Sequence, residues 1–171
     1  MRKFLAGASL IMLAACVAPE PPPPPAPRPA PPPPPPPAPV SQDWRDFPLT
    51  PGSWAYAADA AGSSATFGRV GIEADFILRC DLANRTVTLS WPGVAVPAGN
   101  ATTITTSAAA VTYPAGAVTA TRIGVRLAAR DPFLDKLAFS RGRFVVAGQA
   151  NVPLVIPAWP EPARAIEDCR K

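Results

Sequence analysis

The stretch PEPPPPPAPRPAPPPPPPPAP, Pro19 to Pro39, holds 16 of the chain's 26 prolines. Proline fixes φ and has no backbone N–H, so a run this dense supports neither a helix interior nor a sheet ladder. Its ordered form is a polyproline II rod rising about 3.1 Å per residue, roughly 65 Å over this stretch. The run therefore divides the chain. It is expected to be a stiff linker with no packed core of its own, and a spacer is favoured over a docking motif for an aromatic-lined groove. Anything that folds must do so within residues 41–171, a usual size for one domain.

The residues before the run have their own pattern. Arg2 and Lys3 precede an uncharged apolar stretch, Phe4 to Ala15. A membrane-spanning helix needs roughly 20 apolar residues, so this stretch is too short to span and reads as an export signal over residues 1–15. Leu13-Ala14-Ala15-Cys16 then has the form Leu-small-small-Cys. It resembles the lipobox of bacterial lipoproteins, which implies cleavage before Cys16 and acylation of that residue. Residues 16–40 would then be the lipidated N-terminus and proline-rich linker. Three acyl chains on Cys16 exceed the two signals that stable anchoring requires. Val17 and Ala18 follow in place of the Asp that favours inner-membrane retention in lipoproteins of enterobacterial type. The resemblance thus implies the outer membrane, with the domain facing the periplasm.

Residues 41–171 carry 13 Lys+Arg and 11 Asp+Glu, spread without a basic face or run. That distribution gives no support for nucleic-acid binding. Histidine is absent from the chain, which removes His-based triads, His-ligated metals and the usual near-neutral acid–base group. Neither a Gly-rich phosphate loop nor a zinc-like cysteine spacing is present. The expectation is a non-enzyme without cofactor or metal. Two cysteines remain in the domain, Cys80 and Cys169, and in an oxidising exported compartment such a pair reads as one disulfide.

Period-two alternation dominates the domain. Ser41 to Ser53 is an irregular lead-in whose Trp44 and Phe47 should pin the chain to the core. WAYAADAAGSSATFGR has strand-like alternation around a Gly-Ser-Ser turn. In IEADFILRC, Ile72, Ala74, Phe76, Leu78 and Cys80 share one face, with Glu73, Asp75 and Arg79 on the other. After the turn DLAN, Val87, Leu89 and Trp91 alternate again, which predicts a β-hairpin. TTITTSAAAVTYPAG contains one or two strands. In VTATRIGVRLAA, Ile123, Val125 and Leu127 point inward while Arg122, Gly124 and Arg126 form a solvated face. The period then becomes helical in RDPFLDKLAFSRGR, with Asp131 as N-cap, Pro132 at the first position and Gly142 ending the turn. RFVVAG and VPLVIPAW are the last strands, joined by GQAN. PEPARAIEDC closes as a short helix with Ala165, Ile166 and Cys169 on its buried face. About seven short strands with two short helices predict an all-β fold, an antiparallel sandwich or small barrel.

The candidate binding residues are Asp131, Asp135, Arg141 and Arg143, which could surround a cleft. The favoured reading is that Asp131 serves the cap while the arginines sit on a turn, where surface ion pairs contribute little. Glu73 and Asp75 read as a polar strand face, not a glycosidase dyad. Trp44, Trp54, Trp91 and Trp159 could line a sugar surface, but in a small domain they belong mostly to core or rim. Ser140 has no base beside it in sequence, so no nucleophile is assigned and the catalytic set is empty.

Lipobox, proline spacer and a β domain containing IPAWPEPARAIEDCR resemble uncharacterised small envelope lipoproteins of alphaproteobacteria. The resemblance spans most of Phe47 to Arg170 and implies no activity. FILRCDLANRTVTLSW followed by TTSAAAVTY is more weakly similar to the membrane-bound lysozyme-inhibitor lipoproteins. Ser107 to Tyr113 lacks the Ser-Gly-aromatic pattern of their inhibitory loop. The expected function is a lipid-anchored envelope protein displaying a non-catalytic β domain in a structural or interaction role. Its partners would be the membrane through Cys16 and an envelope protein or the cell wall. The alternative is an inhibitor of a periplasmic hydrolase such as lysozyme.

Overall fold

The computed structural model describes residues 43–96, 100–148 and 152–171. The expected signal segment, Cys16 and the proline run lie outside the described residues, as does most of the GQAN loop. A 3-10 turn, Trp44–Asp46, opens the described chain, with the Asp43 side chain accepting from Arg45 N–H. Nine strands follow: β1 Ser53–Asp59, β2 Gly62–Gly68, β3 Phe76–Asp81, β4 Thr86–Pro92, β5 Asn100–Thr105, β6 Ala110–Ala117, β7 Arg122–Ala128, β8 Arg143–Gly148 and β9 Leu154–Pro157. Helix α1, Pro132–Ala138, separates β7 from β8, and α2, Pro160–Arg170, follows β9. The fold is all-β and antiparallel with two short helices, as the alternation predicts, although it uses nine strands where about seven were expected.

The strand order is β1-β2-β3-β4-β7-β6-β5-β8-β9. Strand β6 joins the halves: Ala110 to Ala115 pair with β5, whereas Gly116 and Ala117 pair with Gly124 and Ile123 of β7. The two halves then face one another. Phe76 of β3 meets Phe144 of β8 edge-on at 5.5 Å, and the Trp54 indole of β1 donates to the Pro157 carbonyl of β9 at 2.8 Å. Just before β1, Thr50 N–H donates to Val155 O, and Thr50 Oγ1 accepts from Val155 N–H, both at 2.9 Å. The outer strands thus meet across a short seam.

Inward residues of every strand fill one core, with Phe67, Phe76, Leu78, Leu89, Trp91, Ile104 and Phe144 fully or almost fully buried. Phe133, Leu134 and Leu137 of α1 and Ala165, Ile166 and Cys169 of α2 complete it, on the helical faces that their spacing indicates. Asp131 caps α1 by accepting from Phe133 N–H at 2.8 Å. Gly142 has φ +77° in the turn after α1, a left-handed conformation that glycine adopts without strain.

Four sequence expectations need correction. The first hairpin turns at Ala60-Ala61 because the Asp59 carboxylate accepts Ala61 N–H at 2.8 Å, so the Gly-Ser-Ser segment lies inside β2. Gly62 belongs there because a Cβ would come within 2.2 Å of the Cys80 carbonyl oxygen. Strand β3 begins only at Phe76, and Ile72 is 53% exposed in the preceding loop. Trp44 and Phe47 are only half-buried and outside the core; the lead-in is held by Thr50 and by the Arg143 guanidinium, which donates to Phe47 O at 2.8 Å. Arg122, expected on a solvated face, is 6% exposed. Its guanidinium donates to Ala74 O at 2.7 Å and Ser90 O at 3.0 Å and pairs with Glu73 at 3.0 Å. Gly124 is also buried, since a Cβ there would meet Leu89 O at 2.1 Å.

Candidate functional site

Two turns and the lead-in meet at one place on the domain. The β5–β6 turn closes when Thr106 N–H donates to Ala109 O at 2.7 Å. Ser107 N–H then donates to Ser140 Oγ at 2.9 Å, and Ser140 O–H donates to Arg143 O at 2.6 Å. In return, Arg141 N–H donates to Ser107 Oγ at 2.9 Å. These reciprocal serine bonds clamp the β5–β6 turn against the α1–β8 turn. Ser140 therefore has a structural position, buried and fully engaged, and no base approaches it among the described residues.

The clamp leaves a depression of about 290 Å³ lined by Trp44, Arg45, Ser107, Arg141 and Arg143. The Arg45 guanidinium carbon lies 4.8 Å over the Trp44 ring, a cation–π contact. Arg45 also pairs with Asp43 at 3.3 Å, where the Asp43 carboxyl is held below the ordinary carboxylate range chiefly by the Arg45 backbone N–H. The Arg143 side chain is positioned by its bond to Phe47 O. Among the described residues, neither Arg141 nor Arg143 has a carboxylate within ion-pair distance. Three guanidiniums, an indole face and a hydroxyl thus converge with no acid in the lining.

The four candidate residues divide between two places. Arg141 and Arg143 line this depression. Asp131 serves the α1 cap, and Asp135 pairs with Arg170 of α2 at 2.7 Å. The two aspartates therefore hold helices, and the four residues do not assemble into one cleft. Sequence reasoning named Trp44 only among the tryptophans of a sugar surface and did not join it, Arg45 or Ser107 to the arginines, because these residues come from segments far from α1; the only signal was an aromatic–basic pair in an otherwise irregular lead-in. Trp54 and Trp91 are core residues, so the tryptophans form no common surface. Glu73 and Asp75 precede β3, and Glu73 serves Arg122.

Cys80 and Cys169 are joined in a disulfide with Cα atoms 5.5 Å apart, both side chains fully buried. Beside it, Tyr56 O–H donates to Asp168 Oδ2 at 2.5 Å and Lys171 donates to Asp168 Oδ1 at 2.7 Å. Lys171 first, then Tyr56, hold the Asp168 carboxyl below its ordinary range. Burial, then the Asp131 charge, push the Tyr113 hydroxyl upward. Among the described residues, no three His, Cys, Asp or Glu side chains gather where a metal could be held. No protein-family model matches the chain, and no curated protein or solved structure matches it either.

Proposed function

We propose that this chain is a lipid-anchored envelope protein whose β domain, carried beyond a proline-rich spacer, acts by binding and not by catalysis. The observation that carries the reading is a succession within 40 residues: basic pair, uncharged apolar run, Leu13-Ala14-Ala15-Cys16 and the proline tract. Each part suits anchoring at a distance, and acyl chains on Cys16 would supply the membrane affinity. Binding is favoured over reaction because the groups that converge on the domain are guanidiniums, an indole and a hydroxyl, with no nucleophile–base pair among them. The inhibitor alternative is less well supported. It calls for a protruding loop, and the β5–β6 turn is clamped to Ser140 and Arg141.

Metabolic labelling with a palmitate analogue, followed by membrane fractionation, tests the proposal. The wild-type chain should incorporate label and sediment with outer membranes, and protease added to intact cells should leave the domain uncut. The Cys16→Ser chain should take up no label. Labelling that persists in Cys16→Ser, or an unlabelled wild-type chain in the soluble fraction, would overturn the anchor. Peptidoglycan hydrolysis by the purified chain would overturn the non-catalytic role.

A further inference from the structure

We infer that the depression between the lead-in and the two clamped turns is a binding site for a phosphate group. Asp43 pairs with one side of Arg45, whereas Arg141 and Arg143 face the same small space with no carboxylate within ion-pair distance among the described residues, and an anion there receives hydrogen bonds from all three. Arg143 is fixed by Phe47 O and Arg45 by the Trp44 ring, so two of the three guanidiniums are already oriented. Ser107 Oγ accepts from Arg141 N–H, which leaves its own hydroxyl hydrogen available to donate into the space. These donors outnumber what the two oxygens of a carboxylate can accept, whereas a phosphate monoester offers three terminal oxygens and a charge of about −2. Asp43 occupies one side of Arg45 only. At about 290 Å³ the space admits a single headgroup and not a length of polymer. The Trp44 face can cover an apolar or sugar part attached to the phosphate. A soluble phosphomonoester and the phosphomonoester headgroup of phosphatidic acid share this chemistry. The inference is independent of whether Cys16 is acylated.

The test uses the full chain carrying Cys16→Ser, so that no acyl chain confuses membrane binding. Inorganic phosphate is titrated against chloride at constant ionic strength while amide and indole ¹⁵N shifts are followed. Saturable shifts are expected at Ser107, Arg141 and the Trp44 indole. Arg141→Gln, whose side chain supports nothing else among the described residues, should weaken binding about ten-fold, the loss of one charge-assisted bond. Arg45→Gln should weaken it comparably, and Arg126→Gln on the exposed part of β7 should leave it unchanged. A second arm uses phosphatidylcholine vesicles with and without phosphatidic acid. Vesicle binding that requires phosphatidic acid and Arg141, without response to free phosphate, assigns the lipid source. Response to free phosphate alone assigns the soluble source. No response in either arm, equal binding of acetate, or equal weakening by Arg126→Gln overturns the inference.

Discussion

Arg122 shows how far a single residue can depart from the pattern of its strand. Alternation puts it on the polar side of β7, and that side is indeed where its side chain leaves the backbone. Its cover comes from elsewhere: the Glu73–Ala74 loop and the Ser90 carbonyl, 48 and 32 residues away for the two carbonyl bonds. Such burial is illegible from a local period because the shielding segment is not part of the strand. The bonds differ in weight. The two carbonyls lose their donors if the guanidinium goes, whereas Glu73 is 60% exposed and its ion pair is screened. Arg122→Met should therefore lower unfolding stability by about 2–4 kcal/mol in urea titration, while Glu73→Gln changes it by less than about 1 kcal/mol. Equal effects of the two substitutions would refute this division.

Among the elements, α2 was the most legible and its anchoring the least. The spacing of Ala165, Ile166 and Cys169 marks the buried face, and all three are in the core. The disulfide joins the only two cysteines of the β domain, and by chain-entropy reasoning a closed loop of this length contributes about 4 kcal/mol. Sequence gave no sign that Asp168 takes Tyr56 of β1, that Arg164 lies 3.9 Å over the Tyr56 ring, or that Arg170 ties α2 to Asp135 of α1. Those partners depend on where the helix is docked. Asp168 makes the docking pH-dependent. Its carboxyl titrates lower in the folded chain than in the unfolded one, because Lys171 and Tyr56 favour the charged form. The contribution is complete above the unfolded value, about 3.9, and is lost as pH falls through the folded value. Asp168→Asn should accordingly melt below the wild type at neutral pH, with the two melting temperatures converging as the solution is acidified. A gap that stays constant into acid would rule out Asp168 as its source.

At the scale of the whole domain, the alternation established an antiparallel β fold, but it could not give the strand order. Strand β4 pairs with β7 because β5, β6 and β7 form a meander that returns to it, and no residue of β4 records that return. The candidate site was half legible for the same reason: Arg141 and Arg143 stand in a conspicuous stretch, whereas Trp44, Arg45 and Ser107 reach them only through the order of strands and the clamped turns. The seam between the outer strands is the last consequence of that order. Thr50 gives β9 an acceptor for Val155 N–H and a donor to Val155 O, and Trp54 inside β1 bonds Pro157. Both contacts join the beginning of the sheet to its end, so they should open together. Thr50→Val removes only the Oγ1 acceptor, leaves Val155 N–H without a partner and should cost about 1–2 kcal/mol. If the seam is one cooperative unit, hydrogen exchange should accelerate at Val155 and at the β1 amides by similar factors. Acceleration confined to Val155 would mean that β9 frays alone and that β1 is held by β2 and the core without help from the seam.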